Sequence, residues 1–415
     1  MKKILYIILA FCVLLACIDP FEVETQAFAG VLVVDARLTN EVKQHRVLLS
    51  RARPFEQDSI SPERNATVSI IENSGANYEF EETTPGIYIS NIAFAGEPGK
   101  DYRLLITTAN GNSYASNIEE MPENVPIASL SFERQTDDFG EDGVAVVLDN
   151  SSLGNQPRFF RYDYEENYKI VAPNWDPFEF DIIDSVACID GDAFEVGIKA
   201  KNSLKGRICY GRQFSTNINL ASTANLEDNN LSKYLIRFVN RENYILMHRY
   251  SILVKQYTQS VDAHSYYQDL ESFSASESVF SETQPGFLMG NIISETNNNE
   301  SVIGYFETAA ISSKRIFFDY KDLFPDEPLP EYPITCSRLG DPRLIPRGYH
   351  CTLGSGGVCD GNCESPLINQ IQANLIVFAG EKEPIDFTRP FFTLPVGCGD
   401  CTVLGSDIKP DFWID

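Results

Sequence analysis

Histidine is scarce in this 415-residue chain, and its scarcity narrows the catalytic chemistry that the sequence can encode. The four histidines are His45, His248, His264 and His350, and no two lie within one helical turn of each other. The His-Glu-x-x-His pattern of zinc proteases is therefore absent. The Gly-x-Ser-x-Gly elbow of α/β hydrolases and a phosphate-cradling glycine loop are absent as well. A Ser-His-Asp triad built from distant residues, or a glycosidase carboxylate pair, stays open, but no residue is singled out for either.

Positive charge is also in short supply. The chain has 33 Lys and Arg residues against 59 Asp and Glu, which gives a formal net charge of −26. Such an acidic surface repels phosphate backbones and anionic lipid head groups, so we predict no nucleic-acid partner. Long apolar runs are confined to the first 16 residues, so the body of the chain has no candidate membrane-spanning segment.

The N-terminus reads MKKILYIILAFCVLLAC. Two lysines precede the apolar run Ile4–Ala16, which is too short to span a bilayer comfortably and is typical of a cleaved signal. Cys17 follows Leu-Leu-Ala, an arrangement that resembles the bacterial lipobox, in which the cysteine is lipidated and becomes the new N-terminus. The alternative is an ordinary signal peptide that happens to contain cysteine. We expect residues 1–16 to be removed, the lipid on Cys17 to anchor the chain to a membrane without spanning it, and residues 17–24 to form a tether.

Eight further cysteines predict a disulfide framework, because an exported protein meets oxidants and the number is even. Cys188 and Cys209 stand apart from the others, and we predict that they pair. The pairing of the remaining six stays open: Cys336, Cys351, Cys359, Cys363, Cys398 and Cys401.

Two alternative roles for these cysteines are a zinc site and a redox dithiol. Cys359, Cys363, Cys398 and Cys401 have spacings that would suit four thiolate ligands. The oxidising compartment favours disulfides instead. A redox dithiol usually places its first cysteine at a helix N-terminus, and the residues after Cys401 contain glycine and proline, which are atypical of a helix. We therefore predict no metal and no cofactor.

In the first part of the chain, apolar runs alternate with turn-forming residues, a pattern typical of antiparallel β structure. Gly30–Leu38 and His45–Ala52 are apolar, β-branched runs joined by a polar turn. Asn65–Glu82 reads as a hairpin around Ser-Gly. Asp101–Ser116 turns on Asn110-Gly111, which predicts a type I′ turn with positive φ at both central positions.

These patterns predict a mainly β protein of two domains. Residues 25–120 suit an Ig-like β-sandwich, and Glu119–Ser129, with its two prolines, suits a linker. Residues 129–415 suit a larger β-rich domain with few helices and a disulfide-stapled C-terminal region. Ser260–Phe273 is the one segment with helical spacing, and Ser260 can cap it.

The segment TDDFGEDG offers a weak calcium candidate. It gathers hard oxygen ligands around a glycine but lacks EF-hand spacing, and a solvated acidic turn is the alternative. The candidate ligands are Asp137, Asp138, Glu141 and Asp142.

Three further positions are candidates for modification or contact. Ser59 and Ser185 lie in Asp-Ser-apolar triplets, which resemble a bacterial acceptor motif for O-glycosylation. Trp175 lies between two prolines and beside acidic residues, a loop setting that suits a contact role, with a local core plug as the alternative.

Several sequence segments resemble those of a known family: CIDPFEVE, VLVVDARLTN, YSILVKQYTQSVDAHSYYQDL, PGFLMGNI, VIGYFETA and CGDCTVLGSDIKPDFW. Together they resemble the Bacteroidota lipoproteins grouped as domain of unknown function 4249, over nearly the whole mature chain. The resemblance implies an outer-membrane subunit that works beside a TonB-dependent transporter, and it transfers no catalytic residues. The acids Asp19, Glu22 and Glu24 loosely resemble the signal for export to the cell surface.

We therefore expect a surface-anchored, non-enzymatic lipoprotein that acts as an accessory or ligand-binding subunit of a SusC-type transporter. The first alternative is an envelope structural or assembly subunit that binds other outer-membrane proteins. The second is a cryptic hydrolase.

Overall fold

The computed structural model describes residues 30–52, 61–151, 158–185, 194–226, 229–275, 288, 290–297, 299–337, 341–344 and 364–415. The chain is 48% strand and 11% helix, arranged in several sheets with disulfides near the C-terminus. The predicted fold class, mainly β with a disulfide-stapled C-terminal region, is confirmed. None of the described helices is long and apolar enough to cross a membrane.

Nine strands come from the first 120 residues: β1 Leu32–Thr39, β2 Arg46–Arg51, β3 Ser61–Pro62, β4 Thr67–Glu72, β5 Asn77–Thr84, β6 Ile87–Ser90, β7 Asp101–Thr107, β8 Ser113–Ser116 and β9 Glu119–Glu120. Nine more precede the long helix: β10 Ile127–Thr136, β11 Asp142–Asn150, β12 Phe159–Val171, β13 Phe178–Asp184, β14 Glu195–Ala200, β15 Ile208–Phe214, β16 Asn219–Ser222, β17 Tyr234–Asn240 and β18 Arg249–Gln259. The last strands are β19 Ile292–Ser294, β20 Val302–Asp319, β21 Ile376–Glu381 and β22 Phe391–Pro395. The helices are α1 Val261–Ala275, α2 Tyr320–Leu323, α3 Pro366–Gln372 and α4 Val396–Gly399, and short 3-10 turns lie at Tyr244–Leu246 and Cys401–Val403.

One 15-stranded sheet runs through the molecule in the order β15-β12-β18-β20-β1-β2-β6-β5-β4-β7-β8-β19, with β16, β3 and β9 paired off this path. Strand β1 lies near its centre, antiparallel to β2 and parallel to β20. The parallel register runs from Leu32 opposite Val302 to Thr39 opposite Ala309. Since β20 is far from β1 along the chain, this pairing ties the early strands to the late ones.

Two main cores lie along this sheet. The first, which we call the N-terminal β unit, packs residues of β1, β2 and β4–β8 together with Ile292, Val302 and Phe306. The second, which we call the second β unit, packs residues of β10–β12, β17 and β18 with Phe318 of β20. Strand β20 therefore belongs to both units. A third, smaller core joins β14 to α3, β21 and β22.

The predicted hairpins are confirmed, but one turn type is wrong. Strands β7 and β8 pair around Asn110-Gly111, with the Gly111 amide donating to the Thr108 carbonyl at 2.8 Å. Gly111 has φ of +88°, whereas Asn110 is not among the residues with positive φ. A type I′ turn needs both, so the loop is a longer one closed between Thr108 and Asn112, in which only the glycine is left-handed.

The predicted helix is confirmed as α1. The Ala263 amide donates to the Ser260 hydroxyl at 3.1 Å, which is the predicted cap. Ala263 is fully buried, and Tyr267 and Leu270, on the same face, are partly buried. The helix contacts β12, β16 and β20, so it covers one face of the central strands.

The predicted disulfide between Cys188 and Cys209 is wrong for Cys209, which is bonded to Cys401, 192 residues away. The C-terminal tail crosses β15, where the Tyr210 and Ser406 backbones exchange hydrogen bonds, and this pairing brings the two sulfurs together. Sequence separation alone does not reveal such a contact. Cys188, Cys351, Cys359 and Cys363 lie outside the described residues.

The two cysteines of the Cys-x-x-Cys motif near the C-terminus form two separate disulfides. Cys398 is bonded to Cys336, so its two cysteines reach back to different segments rather than to each other. This arrangement contradicts both the zinc site and the redox dithiol at Cys398 and Cys401. The tail beyond is packed down as well: Trp413 is buried against Tyr210 and Phe317.

Candidate functional site

A polar sheet face crosses the centre of the molecule on β12, β18, β20, β1 and β2. Side chains alternate along a strand, so Val34, Ala36 and Leu38 of β1 enter the N-terminal core while Asp35 and Arg37 lie on the opposite face. In the parallel register with β20, Arg37 is opposite Glu307. Two opposite charges therefore meet where the two β units join.

Glu307 is the centre of a buried ionic network. Its side chain has no solvent exposure. One carboxylate oxygen, Oε2, accepts from Arg37 Nε at 2.6 Å, from the Tyr267 hydroxyl at 3.1 Å and from Arg161 Nη2 at 3.4 Å. The other, Oε1, accepts from Gln259 Nε2 at 2.6 Å. The network thus joins β1, β12, β18 and β20 to helix α1.

The electrostatics of this network hold Glu307 ionised. Burial by itself raises the pKa of its carboxyl, but attraction to Arg161 and Arg37 and the hydrogen bonds from Gln259 and Arg37 outweigh that effect and lower the pKa to about 2. The Tyr257 ring lies 4.8 Å from the Arg37 guanidinium and 4.7 Å from that of Arg161. Burial is the main cause that raises the pKa of Tyr257 to about 12. Glu307 and Tyr257 therefore each keep a single charge state near neutral pH.

A second buried cluster fastens the predicted linker to the same region. Glu119 Oε1 accepts from Asn291 Nδ2 at 2.8 Å and from the Tyr305 hydroxyl at 2.9 Å, and its Oε2 accepts from the Ser260 hydroxyl at 3.4 Å. Asn291 also exchanges two hydrogen bonds with the backbone of Phe306. Burial raises the pKa of Glu119 despite these bonds. The cluster therefore fixes the start of α1 against β20.

Beside the network lies a cavity of about 240 Å³, which we call the seam cavity because its walls come from both β units. The residues that line it are Asp35, Arg37, Thr39, Lys43, Gln44, His45, Arg46 and Tyr257. Arg37 is 26% exposed, so its guanidinium belongs both to the buried network and to the cavity wall.

The cationic side of the seam cavity is formed by neighbouring strands. Extending the β1–β2 register by one residue from Ala36 opposite Val47 places Arg46 opposite Arg37. Lys43 lies on the rim and is paired with Glu41 at 2.6 Å. Arg46 has no ion pair within the part of the chain that the structure describes. Arg46, which has no ion pair in that part of the chain, therefore lies beside the cationic side chain of Arg37.

His45 lies in the wall of the seam cavity as a neutral imidazole. It is 1% exposed, and its Nε2 bonds the Phe94 carbonyl at 2.9 Å. Burial is the main cause that lowers its pKa to about 4. Since Nε2 carries the proton that this bond needs, Nδ1 is an acceptor, and it has no partner among the described residues. Its geometry is that of a hydrogen-bonding group rather than a titrating base.

Two larger cavities, of about 420 and 440 Å³, share Tyr320 and Leu329 at the other end of the central strands. The lysines and arginines that line them already have partners: Arg249, for example, contacts Asp319 at 2.6 Å. Lys321 donates to the carbonyls of Pro325 and Glu327. The seam cavity is lined by Arg46, which has no ion pair among the described residues, and it is therefore the stronger candidate for a binding site.

The acidic turn proposed for calcium does not converge on a point. It connects β10 to β11, and Asp137 Oδ1 accepts from the amides of Phe139 and Glu141. Asp142 is paired with Arg134 at 2.7 Å. No group of three or more His, Cys, Asp or Glu side chains suited to a metal occurs in the described ranges. The geometry is that of a solvated hairpin turn.

The remaining predicted positions are placed as follows. Trp175 is partly buried at the edge of the second core, and its Nε1 donates to the Lys205 carbonyl at 3.1 Å. It thus has features of both proposed roles, and a contact with a partner stays a prediction. Ser185 is exposed after β13, while Ser59 and Cys17 lie outside the described residues.

Sequence reasoning missed Glu307, Arg37 and Arg161. A usable indication was present, because Glu307 is the one charged residue in VIGYFETAAI, which otherwise reads as a buried strand. A charge in such a run needs a partner, and the partner was not visible without the register of β1 and β20.

Fold and cavity together define a mainly β, disulfide-stapled protein with a polar cavity where two packed units join. The family model described as Domain of unknown function (DUF4249) matches residues 18–315. This match covers more than half of the chain, so the chain belongs to that family. Comparison with curated proteins gave no match.

Proposed function

We propose that this chain is a surface-anchored outer-membrane lipoprotein that acts, without catalysis, as a ligand-binding accessory subunit of a TonB-dependent, SusC-type transporter. The observation that carries the binding role is the seam cavity. Residues from both β units line it, and a fully ion-paired network supports it from below. A site on such a rigid base is suited to holding a ligand in a fixed orientation.

The protonation states around the cavity favour binding over acid–base catalysis. A general acid or base works best when its pKa lies near the operating pH. Glu307, with a pKa of about 2, stays ionised, and Tyr257, with a pKa of about 12, stays protonated. His45, with a pKa of about 4, stays neutral. None of these groups is poised to exchange a proton at neutral pH.

Support for the location comes from the sequence. Cys17 ends a lipobox-like segment, and the family match begins at residue 18, directly after it. The resemblance to lipoproteins that work beside TonB-dependent transporters supplies the expected partner.

The test is co-purification from native membranes. The full chain, carrying a C-terminal affinity tag, is extracted in mild detergent and its partners are identified by mass spectrometry. A TonB-dependent barrel in near-equal amount is the expected result. Assembly or secretion proteins in its place would favour the envelope-assembly alternative. The matched control is Cys17→Ala, which removes the lipid acceptor and should shift the chain out of the membrane fraction.

A further inference from the structure

We infer that the seam cavity binds a small hydroxylated carboxylate, a compound with the size and chemistry of a single sugar acid. This inference deepens the proposed ligand-binding role and rests on it. It is carried by the two neighbouring guanidinium groups in the cavity wall, by the carboxylate beside them and by the volume of the cavity.

The neighbouring guanidinium groups of Arg37 and Arg46 call for an anion. Of the cations in the wall, Arg37 is neutralised by Glu307 and Lys43 by Glu41. Arg46 is exposed next to Arg37 without an ion pair in the described part of the chain. Like charges directly opposite each other on paired strands repel. A bound carboxylate relieves that repulsion and forms charge-assisted hydrogen bonds with the guanidinium groups.

The carboxylate in the cavity wall accepts hydrogen bonds, so it favours a ligand that carries hydroxyl groups. Asp35 lies two residues from Arg37 on the same strand face, and its exposed carboxylate oxygens are hydrogen-bond acceptors. A simple inorganic anion offers these acceptors no donor, whereas a hydroxylated acid offers several.

The volume limits the ligand to one small unit. Drug-sized ligands occupy cavities of roughly 300–1,000 Å³. The seam cavity, at about 240 Å³, is smaller than this range. Because Arg37 is already held by Glu307, the wall needs little ordering when the ligand binds, which reduces the entropic cost of binding.

The experiment is calorimetric titration of the full-length protein in detergent with D-galacturonate and with D-galactose. These probes share a ring and differ in a carboxylate against a hydroxymethyl group. We expect saturable binding of D-galacturonate, at least tenfold weaker binding of D-galactose, and weaker binding of the acid at high salt. Arg46→Gln should weaken D-galacturonate binding by about 10- to 100-fold. The matched control is Arg103→Gln, on β7 and paired with Glu295, which should bind as the wild type does.

Several outcomes would overturn the inference. Equal affinities for the two probes, or tighter binding of inorganic phosphate than of D-galacturonate, would do so. An Arg46→Gln variant that binds like the wild type would do so as well. So would a lack of saturable binding of D-galacturonate up to its solubility limit. Folding of each variant is checked by circular dichroism. Because the titration uses no transporter, failure to bind leaves the co-purification result standing, and failure to co-purify leaves the titration standing.

Discussion

Replacing Glu307 by glutamine is the sharpest perturbation of the network that joins the two β units. The change keeps the shape of the side chain but removes its charge, and it leaves Arg37 and Arg161 without their buried partner. The pKa of Glu307 is about 2 in the folded chain against an ordinary value of 4.5. That difference corresponds to about 3 kcal/mol of folding free energy at pH 7. Removing one member of a buried ion pair costs about 3–5 kcal/mol, which agrees.

The sign of the pH dependence follows from the lowered pKa. Glu307 contributes its full stabilisation above pH 4.5 and loses it as the pH falls towards 2. The free energies of unfolding of the wild type and of Glu307→Gln should therefore differ by about 3 kcal/mol at pH 7 and by only about 1 kcal/mol near pH 3.

Urea denaturation at both pH values measures this difference, since urea, unlike guanidinium chloride, does not screen charges. The matched control is Glu295→Gln, which breaks an exposed pair with Arg103 and should change stability by about 0.5 kcal/mol or less. A Glu307→Gln variant within about 1 kcal/mol of the wild type at pH 7, or a difference that does not shrink near pH 3, would refute the role given to the network.

Three further predictions concern a disulfide, the packing of the C-terminal tail and the pairing of β1 with β20. Cys401→Ser should lower the free energy of unfolding by about 2–5 kcal/mol in urea, because it opens the bond to Cys209; a peptide map of the wild type that joins Cys209 to another cysteine would contradict this. Trp413→Ala should cost about 3–5 kcal/mol in the same assay, since the indole is 5% exposed, and a loss under about 1 kcal/mol would show that the tail is not packed down. Gly304→Ala should destabilise by more than about 1 kcal/mol, because its φ is +121° and a Cβ would lie 1.8 Å from the Val34 carbonyl oxygen; unchanged thermal unfolding would contradict the tight β1–β20 pairing.

Local patterns in the sequence predicted the local parts of the fold. The hairpin at Asp101–Ser116 and the helix capped by Ser260 both depend on residues within a few positions of one another. The turn type at Asn110-Gly111 was wrong because loop closure from Thr108 to Asn112 also satisfies the hydrogen bonds and leaves only the glycine left-handed.

Long-range pairing could not be predicted in this way. Nothing in the sequence shows that β1 pairs with β20 in parallel, and yet this pairing places Glu307 beside Arg37. The bond between Cys209 and Cys401 likewise depends on the path of the tail across β15. Both contacts gain their energy only after the chain has closed a long loop, and local propensity does not record that step.

The candidate site was hidden for the same reason. Each of its groups is ordinary in sequence: an aspartate and an arginine in a strand, and a second arginine at the start of the next strand. Only the register brings Arg37 and Arg46 together. Arg37 is paired with Glu307, whereas Arg46 has no ion pair among the described residues. The lone acid in the β20 run was the one visible clue to the network.

The most direct test of a binding site without catalysis is the proton NMR spectrum of D-galacturonate incubated with the full-length protein, followed over a day. We expect resonances that are broadened by binding, that become sharp again with Arg46→Gln, and that show no chemical change in the ligand. Resonances as sharp with the wild type as with the variant would contradict the binding site. New product resonances that Arg46→Gln abolishes would contradict the absence of catalysis.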